Sequence, residues 1–207
     1  MSELGVFEEL NNTWKVYITS KFHFKTLLNG TVKEETNLKP YTEFFNMKTC
    51  NDLFYLLKFM KTKKVVEDGY KKTPYNLFSN GYAIMKDDIL PVWEDEENKY
   101  GGTYSIQVTE KNIFNVWEAI MFHMVANDLT SHPECINGIS TQYIINSKGG
   151  DNFILIKIWD KYRNFDRDLF YRELSDPIKD IVKNCSIQYK LNREKKEYND
   201  NNVPDII

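Results

Sequence analysis

The residues best suited to chemistry lie together in one acidic stretch, Pro91 to Glu97. Trp93 is followed there by four consecutive carboxylates, and such a run cannot belong to an apolar core. We therefore expect the indole of Trp93 at the surface, where it can stack on a flat, electron-poor ligand. The adjacent carboxylate of Glu94 can accept charge-assisted hydrogen bonds from the same ligand. The residues by themselves thus single out Trp93, whereas a run of carboxylates such as Glu94 to Glu97 is more often typical of a solvated loop.

A second pair of candidate residues lies on a predicted strand, 152–159. Three isoleucines alternate there with Leu155, Lys157 and Trp159, as in a strand whose two faces differ. Lys157 and Trp159 share the face away from the isoleucines. We expect that face of the sheet to be open, with an exposed indole, and an exposed indole on a sheet face indicates a ligand.

The elements that must position these groups follow from the spacing of apolar residues. Alternation predicts strands at 13–24, 41–47, 103–108, 136–145, 152–159 and 186–191. The polar, glycine-rich residues 146–151 predict a hairpin turn between two of them. We expect one α+β domain, in which a strongly antiparallel sheet carries helices on one face.

Three helices are expected on that face. The first begins at a capping-box pattern formed by Thr49 and Asp52. The second and third cover 112–129 and 166–184, and the first two show an apolar stripe at helical spacing. Because proline cannot continue a helix without losing a hydrogen bond, Pro177 is expected to restart the third helix.

Composition and charge argue against several classes of function. The net charge is −3, whereas a protein that coats nucleic acid along its length is usually basic, so any contact with nucleic acid would be local. The first twelve residues carry three glutamates and no apolar run, which excludes an ordinary signal peptide. No apolar stretch of 18 residues occurs, so we expect no membrane contact.

The three cysteines at positions 50, 135 and 185 are far apart and form no CxxC pair, which favours a reducing compartment. His132 and Cys135 resemble half of a metal site, but a second half is missing, so neither a metal nor another cofactor is expected. An enzyme that uses Cys135 and His132 stays as a remote alternative.

The segment from Gly81 to Val108 resembles the cap-binding loop of the translation initiation factor 4E family. Pro91 to Glu96, with Asn98, Lys99, Gly101 and Gly102, is similar to that family's pattern P-x-W-E-D-E-x-N-x-x-G-G. A weaker resemblance extends over residues 13–191. It implies a curved sheet of about eight strands, with the helices on the convex face and a 7-methylguanosine cap on the concave side.

The resemblance implies a role for each candidate. Trp93 stacks on the cationic methylated base, Glu94 reads the N1–H and 2-amino group of guanine, and Trp159 touches the N7-methyl group. Lys157, and after it Lys148 in the hairpin, bind the triphosphate. No aromatic residue occurs from Lys25 to Pro40, where the family has its second stacking ring, so Tyr41 is the first substitute and Phe24 the second.

Two positions depart from the family pattern. Gly81 stands where the family usually has Asp, and Thr103 where it usually has Arg, so part of the phosphate scaffold is missing. The hairpin Arg of the family aligns near Asn146. Three basic residues close to the C-terminal end of the domain are candidates to compensate, namely Arg193, Lys195 and Lys196.

A separate partner surface is predicted on the helices. Cys50 and Phe54 lie four residues apart on the first helix, beside its apolar stripe, and Glu118 and Phe122 are related in the same way on the second. The family binds a helical peptide of factor 4G or of a repressor at this surface. Phe54 stands where the family usually has Trp.

The sequence therefore predicts a cytoplasmic, monomeric, non-catalytic cap-binding protein that recruits mRNA for translation initiation through a scaffold partner. A translational repressor that holds the cap without recruiting the ribosome is the main alternative. We expect a flexible segment at 1–12, the cap-binding domain at 13–195 and a polar tail at 196–207.

Overall fold

A computed structural model describes residues 8–19, 41–62, 66–67, 70–71, 81–144, 151–161 and 167–192. Nine strands occur in these ranges: β1 (Glu9–Thr19), β2 (Tyr41–Thr49), β3 (Val66–Glu67), β4 (Tyr70–Lys71), β5 (Tyr82–Lys86), β6 (Gly102–Thr109), β7 (Ile136–Ile144), β8 (Phe153–Asp160) and β9 (Ser186–Leu191). Seven of them form one curved sheet in the order β2-β1-β5-β7-β8-β6-β9, and every pairing in it is antiparallel. Strands β3 and β4 pair separately.

The helices are α1 (Cys50–Thr62), α2 (Ile113–Val125), α3 (Arg167–Glu173) and α4 (Asp176–Val182), and Pro133–Cys135 forms a single 3-10 turn. They pack on one side of the sheet, which we call the helix face. The apolar stripes predicted for the first two helices are buried there, namely Leu53, Leu56, Leu57, Met60, Ile113, Trp117, Ile120, Met121, Met124 and Val125. Periodicity therefore identified the core side of both helices correctly.

The predicted start of α1 is confirmed. The amide of Asp52 donates to Oγ1 of Thr49 at 3.3 Å, and the amide of Thr49 donates back to Oδ2 of Asp52 at 2.9 Å. This reciprocal pair satisfies amides that have no partner inside the helix. It lets the chain turn at once from β2 into α1.

The third predicted helix is two helices, α3 and α4. Leu174 forms an isolated bridge with Thr130, and the amide of Ser175 donates to the carbonyl of Leu129 at 3.1 Å, so the chain is extended between the helices. Pro177 lies in the first turn of α4, where its missing N–H costs nothing, and the restart predicted at this residue is confirmed. Among the described residues, the helix predicted at 166–184 is therefore divided into α3 and α4.

Strand β1 begins earlier than predicted. It starts at Glu9, which pairs with Thr49 of β2, and the amide of Cys50 donates to the carbonyl of Glu8 at 3.0 Å. The segment expected to be flexible, 1–12, therefore overlaps the sheet at residues 9–12. The outer part of this strand is mostly polar and is paired through its backbone, so the alternation of apolar residues did not predict it.

The other predicted strands agree closely with the structure. β7 and β8 pair from Ile144 opposite Phe153 to Ile136 opposite Asp160, as expected for the two strands of a hairpin. β9 has the predicted bounds, and β2 and β6 each extend a residue or two further.

Candidate ligand-binding site

The site is built around the loop that joins β5 to β6. Trp93 on this loop is 45% exposed, whereas the other three tryptophans are 1–8% exposed. Glu94 beside it is exposed and has no hydrogen-bond or ion-pair partner among the described residues. An indole and an unused carboxylate therefore face solvent side by side, as the acidic stretch predicted.

Two side chains of the same loop stabilise its conformation by hydrogen bonds to the loop backbone. The Asp95 carboxylate accepts the amide of Leu90 at 2.9 Å and the amide of Glu97 at 3.0 Å. The buried amide group of Asn98 donates to the carbonyls of Leu90 at 2.8 Å and Val92 at 3.0 Å. Because Asp95 and Asn98 are occupied with the backbone, Glu94 is the neighbouring group left to read a ligand.

Further hydrogen bonds fix the loop to the sheet. Asn137 of β7 donates to the carbonyl of Glu97 at 2.7 Å and to Oδ1 of Asn98 at 3.0 Å. Asn192, just after β9, donates to the carbonyl of Asn98 at 2.7 Å. These long-range bonds make the loop a rigid part of the site, and the roles of Asn137 and Asn192 were not predicted from the sequence.

The two glycines that close the loop allow very close packing. A Cβ atom at Gly101 would lie 1.7 Å from the carbonyl oxygen of Asp160, and one at Gly102 would lie 2.4 Å from the hydroxyl of Tyr189. A side chain at Gly101 would clash with backbone, which cannot move aside as a side chain can. The Gly-Gly pair in the motif is therefore explained by the approach of the loop to β8 and β9.

The sheet surface away from the helices, which we call the opposite face, is not as open as predicted. Tyr17, Ala83, Met85 and Trp159 form a buried cluster on it, with Tyr41 and Ile89 packed at its side. Trp159 is only 8% exposed, and its Nε1 donates to Oγ of Ser140 at 2.9 Å. The expectation of an exposed indole at Trp159 was wrong, because neighbouring strands supply both an apolar cover and a hydrogen-bond acceptor.

Tyr41 lies at the start of β2, on the opposite face. It is half-buried against the opposite-face cluster. Burial raises the pKa of its phenol, and the nearby charge of Glu94 raises it further. Ile89, in the segment that joins β5 to β6, packs against the same cluster, so Tyr41 lies on the side of the molecule where this loop joins the sheet. Phe24, the other suggested second ring, lies outside the described residues.

Lys157 lies two residues before Trp159 on the opposite face and is half-buried. Burial lowers the pKa of its ammonium group, and the charge of Lys190 on β9 lowers it further. Lys190 was not among the predicted site residues. The alternation of β9 could have identified it, since Ile187 is buried and Lys190 is on the other face of the strand.

The structure shows the surroundings of the two positions that depart from the family pattern. Gly81 has φ = +74°, a left-handed conformation that an aspartate adopts with strain. Thr103 is 7% exposed and lies in register between Trp159 and Lys190. The remaining candidate cations and the hairpin position Asn146 lie outside the described residues: Lys148, Arg193, Lys195 and Lys196.

Comparison with known proteins decides the family. The sequence model of the family "Eukaryotic initiation factor 4E" matches residues 9–204. The chain belongs to this family. It is 31% identical to the "Eukaryotic translation initiation factor 4E homolog" of Acanthamoeba polyphaga mimivirus, over 94% of this chain and 82% of that protein. It is 30% identical to factor 4E of Saccharomyces cerevisiae, over 74% of this chain and 63% of the yeast protein.

Solved structures of the factor 4E family share the fold. The Ascaris suum protein eIF4E-3 with an m7G cap superimposes with a TM-score of 0.61 at 14% identity, covering 92% of this chain and 94% of that one. The schistosome eIF4E with m7GpppG and 4E-BP gives 0.59 at 17% identity, covering 89% and 90%. At this identity the likeness concerns the fold, and it matches the architecture expected from the sequence.

The predicted partner surface of this factor 4E family member is formed by α1 and α2. Phe54 is 59% exposed, and its ring meets the ring of Phe122 edge-on, with centroids 6.2 Å apart. Cys50 and Glu118 are half-buried, each one helical turn before one of these rings. The structure thus brings two of the four predicted residues into contact across the helices.

The remote enzyme hypothesis relies on Cys135 and His132. Burial raises the pKa of the Cys135 thiol to about 11, and the charge of Glu134 contributes. His132 points its Nδ1 at Glu134, 3.3 Å from Oε1. A thiol with a raised pKa is a poor nucleophile. Within the described residues, no group of three or more His, Cys, Asp or Glu is arranged to hold a metal ion.

In the parts of the chain that the structure describes, none of the helices is both long and apolar enough to cross a bilayer.

Proposed function

We propose that this factor 4E family member binds the 7-methylguanosine cap of mRNA through Trp93 and Glu94. The observation that carries the proposal is the exposed indole of Trp93 beside a carboxylate that has no partner among the described residues. Asp95 and Asn98 of the same loop are bonded to its backbone. The cap complexes of family members from Ascaris suum and schistosome support the same ligand.

The chemistry of the cap fits these groups. Methylation at N7 makes guanine cationic, so stacking on Trp93 gains cation–π attraction, and base–aromatic stacking contributes roughly 1–3 kcal/mol per base. Glu94 accepts from N1–H and the 2-amino group of guanine, which adenine cannot match. Tyr41 stacks from the other side, and the buried Trp159 forms the wall near the N7-methyl group. Lys157, with Lys148 in second place, attracts the phosphates.

Cap binding in this family serves translation initiation, and we assign this role to the chain as a non-catalytic, cytoplasmic protein that acts as a monomer. The initiation factors of yeast and Drosophila melanogaster among its relatives support the assignment.

Tryptophan fluorescence tests cap binding directly. Since Trp93 is the exposed tryptophan, 7-methyl-GTP should quench emission at concentrations where GTP does not. Trp93→Ala should remove both the quenching and the binding measured by calorimetry. Equal affinity of the wild-type protein for the two nucleotides would reject cap recognition.

The guanine-reading role of Glu94 has a matched control in the same loop. Glu94→Gln should weaken 7-methyl-GTP binding by roughly 10–150-fold, since hydrogen bonds to a charged group contribute about 1.5–3 kcal/mol. Glu96 is also exposed, but it pairs with Lys99. Glu96→Gln changes the net charge equally and should leave the affinity within about twofold. Equal losses in both variants would mean that the loop acts only through its charge.

A second proposed interface lies on α1 and α2. We propose that Phe54 and Phe122, with Cys50 and Glu118 beside them, hold a helical peptide of a factor 4G-like scaffold or of a repressor. The exposed aromatic pair supports this, as do the complexes of the Caenorhabditis elegans eIF4E-3 with Mextli and of the schistosome protein with 4E-BP.

The kind of peptide that binds this surface distinguishes an initiation factor from a translational repressor. Pull-down with scaffold-derived and repressor-derived peptides should show binding to wild-type protein and loss with Phe54→Ala. Ile181→Ala, which removes an exposed apolar side chain from α4, serves as the control and should keep the binding. Binding of scaffold peptides favours an initiation factor. Binding of repressor peptides alone favours the repressor, and binding that survives Phe54→Ala rejects this surface.

A further inference from the structure

Two lysines on the opposite face have no acidic partner among the described residues. Lys157 is half-buried and Lys190 exposed, and neither makes an ion pair or hydrogen bond with a described residue. Removing an ammonium group from water is costly unless a counter-charge replaces the water. Lys157 has no such counter-charge among the described residues, and an anionic ligand would provide one.

The register of the sheet places these lysines on the same face with β6 between them. Lys157 is opposite Ser105, and Lys190 is opposite Thr103. Directly paired residues project to the same side, as do residues two apart on one strand, so all four side chains share the opposite face. Since strands lie about 4.8 Å apart, the backbones of β8 and β9 are roughly 10 Å apart.

All four side chains at this place can donate hydrogen bonds: two ammonium groups and two hydroxyls. Gln188, opposite Ser105, and Gln107, two residues along β6, are neutral. The surface is therefore rich in donors and free of carboxylates along β6 between its cations. It lies next to Trp159, and so beside the proposed base-binding site.

We propose that Lys157 and Lys190 bind the phosphate chain of the ligand across β6. This rests on the proposed cap-binding function and extends it: Lys190, on the last strand, supplies the cation that Thr103 does not provide. The phosphates would run from the base site over Thr103 and Ser105 toward the edge strand β9. The burial that lowers the pKa of Lys157 agrees with a group whose counter-charge arrives with the ligand.

The test compares 7-methyl-GMP, 7-methyl-GDP and 7-methyl-GTP by calorimetry. The wild-type affinity should rise with each phosphate. Lys190→Ala should reduce the affinity for 7-methyl-GTP roughly tenfold and leave that for 7-methyl-GMP within about twofold, because a charge-assisted contact to phosphate is lost. Lys190→Arg should restore most of the loss. Lys183→Ala, which removes an exposed charge at the C-cap of α4, is the matched control and should change neither affinity.

The outcomes separate this proposal from the function on which it rests. If wild-type protein does not prefer 7-methyl-GTP to GTP, cap recognition itself fails. If that preference holds but Lys190→Ala keeps the wild-type ratio of triphosphate to monophosphate affinity, the phosphate path across β6 is wrong. An equal loss for all three nucleotides would also overturn it, since that pattern indicates a general structural effect.

Discussion

The two faces of the sheet differ in what fills them. On the helix face, Trp14, Ile106, Trp117 and Ile158 belong to one continuous buried core between sheet and helices. On the opposite face, the buried cluster among the described residues is limited to Tyr17, Ala83, Met85 and Trp159, with two side chains packed beside it. The first is an interior. The second is a small platform bordered by groups that have no hydrogen-bond or ion-pair partner among the described residues.

This difference separates stability from binding. Burial of apolar area is the main favourable term in folding, so the helix face carries most of the stability. The half-buried Lys157 and the free carboxylate of Glu94 contribute nothing comparable to folding. Groups of this kind are retained where a ligand completes their interactions.

The largest expected effect is on the helix face. Trp117→Ala should lower the free energy of unfolding by about 3–5 kcal/mol, since it leaves a large cavity around a residue that is 1% exposed. Trp93→Ala should change stability by no more than about 0.5 kcal/mol while abolishing cap binding. Urea unfolding measures both. Similar losses in the two variants would contradict the division between the faces.

The loop beside the opposite face has its own internal support, which Asn98→Ala would remove. Two carbonyls and the amide of Asn137 would lose partners, so we expect a loss of about 3 kcal/mol. Cap affinity should fall as well, because Trp93 and Glu94 would no longer be held in place. Urea unfolding and calorimetry measure these effects, with the exposed Asn115→Ala on α2 as control. An unchanged cap affinity would mean that the ligand itself orders the loop.

Within the opposite face, Ser140→Ala should cost about 1–2 kcal/mol, because Nε1 of the buried Trp159 would lose its acceptor. Thermal unfolding measures the loss, and Ser186→Ala, an exposed serine on β9, should show none. We expect the binding free energy of the cap to change less than the free energy of unfolding. A larger loss of binding free energy in Ser140→Ala would mean that the platform serves only to bind the ligand.

The smallest expected effect is at the start of α1. Thr49→Ala should destabilise the protein by about 1 kcal/mol without changing cap affinity, and Thr42→Ala on β2 should have little effect. Chemical denaturation measures both variants. A drop in cap affinity with Thr49→Ala would show that the two faces are coupled.

The same capping box predicts a pH dependence. Burial by itself would raise the pKa of the Asp52 carboxyl, but the amides of Lys48 and Thr49 outweigh it, so the pKa is lowered. Its stabilising contribution is therefore complete above the ordinary aspartate pKa and is lost as the pH falls through the lowered one. The free energy of unfolding, measured from pH 6 downward, should decrease less in Asp52→Asn than in the wild type.

Local patterns in the sequence predicted those features that depend on neighbours in the chain. The alternation in β8, the capping box at Thr49 and the restart at Pro177 are each determined by a few adjacent residues, and each is confirmed. The exposure of Trp93 could also be predicted, since the four carboxylates after it cannot be buried together.

Other features of the fold and of the candidate site depend on contacts between residues that are far apart in the sequence. The sequence by itself determined the family, the helices and most strands, and the loop that carries Trp93 and Glu94. Only the tertiary structure decided that Trp159 is buried, because Ser140 and Met85 reach it from other strands. Only the strand order brings Lys190 to the face of Lys157, since β6 lies between β8 and β9 in space but precedes both in sequence. Pairing between distant strands leaves no local signature, so it is the tertiary fold that assembles the site.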